Sequence, residues 1–230
     1  GIICRFCLKS GWYKVRVDTI KNFFISHYSL KERNAVKTIT MDMNAAYQCF
    51  IHEVFPHAQI IIDRFHIVQL LGRALDQARI ATLKQIEDHH LRTYKVLKTQ
   101  WRLFHKAEPD AIHTRYLFGL NEYMTEQNAL DIALNEYPSL KLVYETYLAF
   151  HSALMNQNTR KLWHLLDTYR KTGTPLDVAM ETLRKNRAGV LAATASSRSN
   201  GPIEGVNRLI KSLKRSCFGF RNQGNFFDRI

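Results

Sequence analysis

The segment TITMDMNAAYQCFIHEVFPHAQIIID (residues 38–63) contains two short apolar runs, and each run ends in an aspartate. The runs Ile39–Met41 and Ile60–Ile62 have the length of buried β-strands. A helix predicted over Ala45–Val54 connects them, and a crossover of this kind is right-handed and makes the two strands parallel. The segment therefore predicts an α/β sheet with two acids at one edge, where such sheets assemble metal sites.

Three acids are candidate metal ligands. Asp42 and Asp63 end the two predicted strands, and Glu204 lies near the start of a helix predicted over 202–217. Each acid also has an ordinary structural interpretation. Asp42 and Asp63 could each cap the helix that follows, and Glu204 stands at the third helical position, where an acid complements the helix dipole. The residues alone leave both interpretations open.

Two further features accompany these acids. The helix that begins near Glu204 carries a polar and basic face, while apolar residues occupy its opposite face. The polar face comprises Asn207, Arg208, Lys211 and Arg215, and the apolar face comprises Ile203, Val206, Ile210 and Leu213. An acid beside a basic stripe fits a metal held next to a phosphate backbone, although a solvated face is the ordinary alternative. His66 follows Asp63 by three residues. A structural role is the ordinary interpretation of this histidine, and substrate contact or proton transfer is the alternative.

Composition favours a folded protein with a polyanionic partner. The chain has 33 basic and 20 acidic residues, a formal net charge of +13, and 46% hydrophobic residues. Such a charge is typical of nucleic-acid binding.

No apolar run approaches the roughly 20 residues of a membrane span. Four cysteines are too few for a disulfide framework, so we expect a cytoplasmic protein. Cys4 and Cys7 lack the second pair that a zinc knuckle needs.

The chain changes character near residue 66. Before it, we predict a β-hairpin over 2–17, a helix over 18–27 and the two strands. After it, every predicted element is a helix, at 65–86, 91–105, 112–120, 127–135, 140–155, 159–171 and 176–185, with a linker at 192–200. We therefore predict a core at 1–66, a helical insertion at 67–195, and a return helix at 196–230 that carries Glu204.

Several segments together resemble the ISL-three-type bacterial insertion-sequence transposases. They are Asp42-Met43-Asn44-Ala45-Ala46-Tyr47, the stretch from Phe55 to Val68 with Asp63-Arg64-Phe65-His66, and the block from Ser199 to Lys211 with Asn200-Gly201-Pro202-Ile203-Glu204-Gly205, followed by Lys214-Arg215 and Gly219-Phe220-Arg221-Asn222. Their order and spacing match over about residues 18–230. The resemblance implies an RNase H-like mixed sheet interrupted by a large all-helical insertion, and an Asp-Asp-Glu metal triad.

The resemblance also implies roles for particular residues. Asp42 would be the second triad acid and Glu204 the third, both catalytic and both metal ligands. Asp63, His66 and Asn207 would support the site, with a direct ligand role for Asp63 left open. DNA phosphates would be contacted by Arg208, Lys211, Lys214 and Arg215. The expected cofactor is Mg²⁺ or Mn²⁺, two ions in an intact member, for phosphoryl transfer. The expected partner is DNA at insertion-sequence terminal repeats, with homodimer formation left open.

The chain departs from the family pattern at the first triad acid. The acids before Asp42 are Asp18 and Glu32, and neither ends an apolar strand. The family's upstream DNA-binding region is also absent from the sequence. We therefore expect a truncated or decayed transposase that does not catalyse strand transfer by itself. The alternatives are a non-catalytic DNA-binding remnant, favoured by the charge of +13, and another RNase H-like nuclease such as a resolvase.

Overall fold

The chain divides into two compact units. A computed structural model describes residues 17–196 and positions 205, 208, 209, 212, 215 and 216. The first unit comprises the chain up to Asp63 together with the chain after Ser196, and the second comprises Arg64–Ser196. The predicted hairpin at 2–17 lies outside the described residues, apart from Val17, which begins a helix. No helix in the described part of the chain combines the length and apolarity that crossing a membrane requires.

The first unit contains the predicted parallel strand pair. Its elements are α1 (Val17–His27), α2 (Leu30–Asn34), β1 (Thr38–Met41), α3 (Ala45–Val54) and β2 (Gln59–Ile62). β1 pairs with β2 in parallel, with Ile39 opposite Ile60 and Met41 opposite Ile62. The α/β character and the parallel crossover are therefore confirmed. The wider RNase H-like sheet is not among the elements described.

Helix α1 packs on the crossover helix α3. The Phe24 ring meets the Phe55 ring edge-on, with 5.0 Å between centroids, and Lys21 forms an ion pair with Glu53. Arg33 lies in the last turn of α2 and donates from Nη1 to the Val54 carbonyl oxygen at 3.0 Å. That carbonyl is one of the groups that a helix C-terminus leaves without an intrahelical partner. These contacts fix the end of α3 immediately before β2.

The second unit is mainly helical and contains a small antiparallel hairpin. Its elements are α4 (Arg64–Gln85), α5 (Arg92–Thr99), a 3₁₀ helix (Trp101–His105), β3 (Arg115–Leu117), β4 (Glu122–Met124), α6 (Glu126–Glu136), α7 (Pro138–Met155), α8 (Thr159–Thr168), α9 (Leu176–Lys185) and α10 (Arg187–Ala195). Helix α4 is central, because α5, α7, α9 and α10 all pack against it. Its buried face includes Ile67, Leu71 and Leu75, each almost fully enclosed. Burying a side chain of this size stabilises the fold by about 1.5–3 kcal/mol.

The prediction of an all-helical insertion is wrong at residues 112–120. The structure places β3 there and pairs it antiparallel with β4. A helix is excluded because the turn between the strands contains Gly119 at φ +95° and Asn121 at φ +61°, both in the left-handed region. Apolar spacing alone predicted the helix, whereas turn residues with positive φ determine the local structure.

The predicted linker at 192–200 is also wrong in its first part. Helix α10 extends to Ala195, and Ala193 and Thr194 are buried. Thr194 donates from its hydroxyl to the Leu191 carbonyl oxygen at 2.7 Å, and its hydroxyl also lies 2.6 Å from that of Thr159. Small residues allow α10 to approach its neighbours closely, so the Ala-rich composition reflects packing here rather than a flexible connection.

Glu126 anchors the loop that precedes the hairpin. Its side chain is 7% exposed and accepts from Lys106 Nζ, from the Asp110 backbone N–H at 2.8 Å and from Arg115 Nη2 at 3.0 Å. Burial raises the pKa of the Glu126 carboxyl, but the bonds from Lys106 and Asp110 and the charge of Arg115 outweigh it, so the net pKa is lowered. The ionised carboxylate therefore stabilises the folded state.

Substituting Glu126 by Gln should destabilise the protein at neutral pH. We expect a loss of about 1–3 kcal/mol in the free energy of unfolding, because the cations of Lys106 and Arg115 lose their counter-charge. A carboxyl with a lowered folded-state pKa contributes fully above its unfolded value of 4.5, and the contribution falls as pH drops through the folded value. Urea denaturation at pH 7 and at lower pH should show the difference between variants shrinking. Glu145→Gln, on an exposed position of α7, is the matched control and should change stability little.

Gly119 offers a second test of the fold. A Cβ added there would lie 2.7 Å from Thr99 Cγ2 and Oγ1, and φ is +95°. Gly173 also has positive φ, at +73°, but a Cβ there meets nothing within 4 Å. Gly119→Ala should therefore cost about 1–2 kcal/mol from strain and a further 1–3 from the clash, whereas Gly173→Ala costs only the strain. Equal thermal midpoints for the two variants would contradict this arrangement of the hairpin.

Candidate functional site

The parallel pairing places the two strand-end acids next to each other. The register Met41 opposite Ile62 continues by one residue, because the Asp63 backbone N–H donates to the Met41 carbonyl oxygen at 2.8 Å. Asp42 and Asp63 therefore occupy the next position on adjacent strands. Backbones of paired strands lie about 4.8 Å apart, so two carboxyl groups start from neighbouring points at the carboxyl edge of the sheet.

The two aspartates differ in burial. Asp63 is 3% exposed, among the most enclosed polar residues of the described chain. Asp42 is exposed, and its Oδ1 accepts from the Asn44 backbone N–H at 3.2 Å. Asn44 in turn accepts from the Gln48 backbone N–H at 3.2 Å through its carbonyl oxygen, which starts α3. Asp42 therefore contacts the residue immediately before α3, and its side chain stays exposed.

The third acid lies outside the described residues. Glu204 and Asn207 are not described, and neither are Lys211 and Lys214, so their predicted roles stay predictions. Arg208 and Arg215 are described, and both are helical and exposed. In an α-helix, residues seven positions apart are separated by almost two full turns, so they lie on the same face. The basic face is therefore solvent-facing at the two positions where it can be followed.

His66 belongs to the second unit. It lies in the first turn of α4 and is half-buried, and its ring meets the Phe65 ring edge-on at 5.5 Å between centroids. Phe65 itself is 52% exposed. The predicted supporting role of His66 stays a prediction.

The carboxylates of Asp42 and Asp63 are the type of ligand that a hard divalent cation prefers. Mg²⁺ prefers carboxylate oxygens and retains several waters, so one or two carboxylates from the protein are a usual ligand set. Among the residues described, no group of three or more His, Cys, Asp or Glu side chains could hold a metal.

Comparison with known proteins identifies the family. A family model for transposases of the ISL-three type with a DDE domain matches residues 15–230. The chain belongs to this transposase family. The resemblance inferred from the sequence blocks is therefore confirmed.

Two curated relatives of this transposase-family chain differ in name. The transposase for insertion sequence element IS1001 from Bordetella parapertussis is 25% identical over 199 residues, which cover 85% of this chain and 47% of that protein. A protein from Lactococcus lactis subsp. lactis named ATP-dependent protease is 32% identical over 108 residues, which cover 47% of this chain and 35% of that protein. The chain thus spans about half, or less, of each relative's length. No solved structure gives a significant match.

The name of the second relative does not transfer an ATP-dependent activity to this family member. The P-loop pattern G-x-x-x-x-G-K-[ST], which cradles nucleotide phosphates, does not occur in the 230 residues. The family model covers nearly the whole chain, whereas that relative matches less than half of it.

The two aspartates should respond differently to removal. Asp42→Ala deletes one exposed turn contact, so we expect a loss of about 0.5–1 kcal/mol in the free energy of unfolding. Asp63→Ala removes a buried polar group, so we expect about 1–3 kcal/mol. Urea denaturation of both variants measures the difference. A larger loss for Asp42→Ala would contradict the burial difference at the strand ends.

Proposed function

We propose that this chain is the catalytic region of an insertion-sequence transposase, whose reaction is metal-dependent DNA cleavage and strand transfer. The family match over residues 15–230 carries the proposal. The adjacent acids at the strand ends and the charge of +13 support it, because this chemistry needs carboxylates beside a phosphate backbone. The expected substrate is DNA at the ends of the element.

We further propose an RNase H-like core interrupted by the second unit. Support comes from the parallel β1–α3–β2 crossover and from the order of the chain, since one compact unit contains the residues on both sides of Arg64–Ser196. That order is typical of a domain inserted into another domain. The core would bring the helix that follows Glu204 back to the sheet.

In this proposal, Asp42 and Glu204 are the metal-binding members of the triad. Asp63 supports the site from the neighbouring strand, with His66 and Asn207 as further supporting residues. The DNA backbone would be held by the basic face formed by Arg208, Lys211, Lys214 and Arg215. Exposure of Arg208 and Arg215 supports that role, because phosphate contacts require cations at the surface.

The metal would be Mg²⁺ or Mn²⁺, held by carboxylate oxygens. When bound, such ions would lower the barrier to in-line phosphoryl transfer by stabilising the negative charge on the attacking and leaving oxygens. The contribution of the chain is to fix the strand ends from which the carboxylates of Asp42 and Asp63 project. The rigid strand pairing at Met41 and Asp63 serves this purpose, since metal ligands must be positioned within a fraction of an ångström.

We expect neither of the described acids before Asp42 to be the first triad ligand. Asp18 lies in the first turn of α1, and Glu32 forms a capping box with Ser29, in which the Ser29 backbone N–H donates to the Glu32 carboxylate at 2.8 Å. The Ser29 side chain and backbone lower the pKa of Glu32, in keeping with that structural role. We therefore expect no strand transfer from the 230-residue chain alone.

A non-catalytic DNA-binding role is the second candidate. It is favoured by the net charge of +13 and by the exposed Arg208 and Arg215. In that case, DNA binding would depend on salt but not on a divalent metal. A different RNase H-like nuclease, such as a resolvase, is a weaker alternative, since the family match names transposases.

Metal binding separates these candidates without relying on activity. Calorimetric titration of Mn²⁺ into the chain should show binding that Asp42→Asn and Glu204→Gln each weaken at least tenfold. Asp18→Asn is the matched control and should leave the affinity unchanged, because Asp18 is exposed on α1. Equal Mn²⁺ affinity in all four proteins would contradict the assigned ligands. No Mn²⁺ binding, together with salt-dependent DNA binding, would favour the non-catalytic candidate.

The activity of the chain is tested separately with terminal-repeat DNA and Mg²⁺. We expect DNA binding but no joined product, because the described acids before Asp42 are used structurally. Strand transfer that Asp42→Asn abolishes would contradict the expected inactivity while supporting the assignment of Asp42.

A further inference from the structure

The hairpin in the second unit presents an aromatic face to solvent. Tyr116 and Tyr123 are cross-strand partners, and Phe118 follows Tyr116 by two residues, so the three side chains share one side. Phe118 is 79% exposed and Tyr123 is 75% exposed. An outward hairpin face is ordinarily polar, and clustered exposed aromatic rings indicate a binding surface. We call these three residues the aromatic face.

The rings form an ordered cluster. The Tyr116 ring meets the Phe118 ring at 5.0 Å and the Tyr123 ring at 5.2 Å between centroids, both nearly edge-on. The Tyr116 hydroxyl donates to Asn121 Oδ1 at 3.2 Å. Two of the rings therefore stand at fixed angles around Tyr116, and their faces are open to solvent.

The opposite side of the hairpin holds the aromatic face in place. Leu117 and Met124 point inward and are buried. Gln100 donates from Nε2 to the Phe118 carbonyl oxygen at 2.8 Å, and Gly119 passes directly against Thr99. The turn is therefore fixed to the C-terminal end of α5, so a ligand that contacts the rings need not order them first.

Cations lie beside this fixed turn. Residues 92–115 contain six basic and two acidic residues. Lys98 Nζ lies over the Tyr94 ring at 5.3 Å, and the Arg102 guanidinium lies over the Trp101 ring at 5.1 Å. Within residues 17–196, neither cation forms an ion pair with a carboxylate. Both are exposed, and each lies within two residues of the Thr99–Gln100 contact with the turn, so the segment that holds the aromatic face carries exposed positive charge.

We propose that the aromatic face binds unpaired bases of DNA by stacking, with Lys98 and Arg102 facing the phosphates. Exposed rings combined with flanking cations form the usual surface for single-stranded nucleic acid. A protein partner or a second copy of this chain would also cover apolar rings, but the flanking charge favours a polyanion. This proposal rests on the proposed function, whose expected substrate is DNA at the ends of the element.

The test compares single-stranded and double-stranded probes. Fluorescence anisotropy measures binding of the 230-residue chain to a labelled 20-nucleotide thymidine oligomer and to a duplex of equal length. The double variant Phe118→Ala with Tyr123→Ala should weaken oligomer binding about 10- to 100-fold, because each stacked base contributes substantially. Duplex binding should change less than threefold, since paired bases are not available for stacking. Phe118→Tyr with Tyr123→Phe keeps both rings and should bind as the unmodified chain does.

Salt dependence distinguishes the rings from the cations. The alanine variant should keep the slope of log affinity against log salt, because it removes no charge, whereas Lys98→Ala or Arg102→Ala should reduce the slope by about 0.7 each on single strands. Val178→Ala, at another exposed apolar position in the second unit, is the matched control and should leave binding unchanged.

The outcomes separate this proposal from the proposed function. Unchanged oligomer binding in the alanine variant overturns the stacking proposal, while metal binding through Asp42 and Glu204 would still stand. Equal losses on oligomer and duplex also overturn it. Self-association that the alanine variant abolishes, measured by sedimentation, would assign the aromatic face to a second copy instead. Absence of any DNA binding by the unmodified chain would overturn both proposals.

Discussion

The arrangement of the first unit depends on the parallel pairing of two four-residue strands. Only strands in this register bring Asp42 and Asp63 to neighbouring positions, and the bond from the Asp63 backbone N–H to the Met41 carbonyl oxygen extends the pairing to the acids themselves. Strands this short gain little from their own hydrogen bonds. Their register is maintained by the crossover helix α3, which is fixed at its end by contacts such as that of Phe24 with Phe55.

The second unit has a different source of order. Its centre is α4, whose apolar face is enclosed, and polar contacts fix the segments that surround it. Arg79 is 8% exposed and donates to Asp76 Oδ1 at 3.1 Å and to the Leu97 carbonyl oxygen at 2.7 Å. A buried guanidinium is tolerated because both partners satisfy it. Such contacts connect the C-terminal end of α5 to the central helix, and the hairpin turn is in turn attached to that end. An exposed binding face can therefore be rigid although its strands have three residues each.

Sequence patterns predicted the parts of the fold in which periodicity and chain direction determine structure. The β1–α3–β2 crossover followed from two apolar runs and a helix of the right length between them. The hairpin was missed because Ile112, Tyr116 and Leu120 recur at helical spacing, although the backbone at Gly119 makes a turn instead. The adjacency of Asp42 and Asp63 could be predicted from strand direction. Their difference in burial could not, because it depends on side-chain packing around the strand ends.

That difference in burial bears on the proposal that Asp42 is a metal ligand and Asp63 a supporting residue. A side chain that binds a metal ion must give up its existing hydrogen bonds and packing contacts. The free energy of those contacts is the cost of binding the ion. Asp42 gives up one bond of 3.2 Å from the Asn44 N–H and is already solvated, and a bond of this kind is worth about 0.5–1.5 kcal/mol. Moving a carboxylate as enclosed as Asp63 would disturb packed neighbours as well. These physical costs agree with the proposed roles, in which Asp42 would bind the ion and Asp63 would support the strand edge.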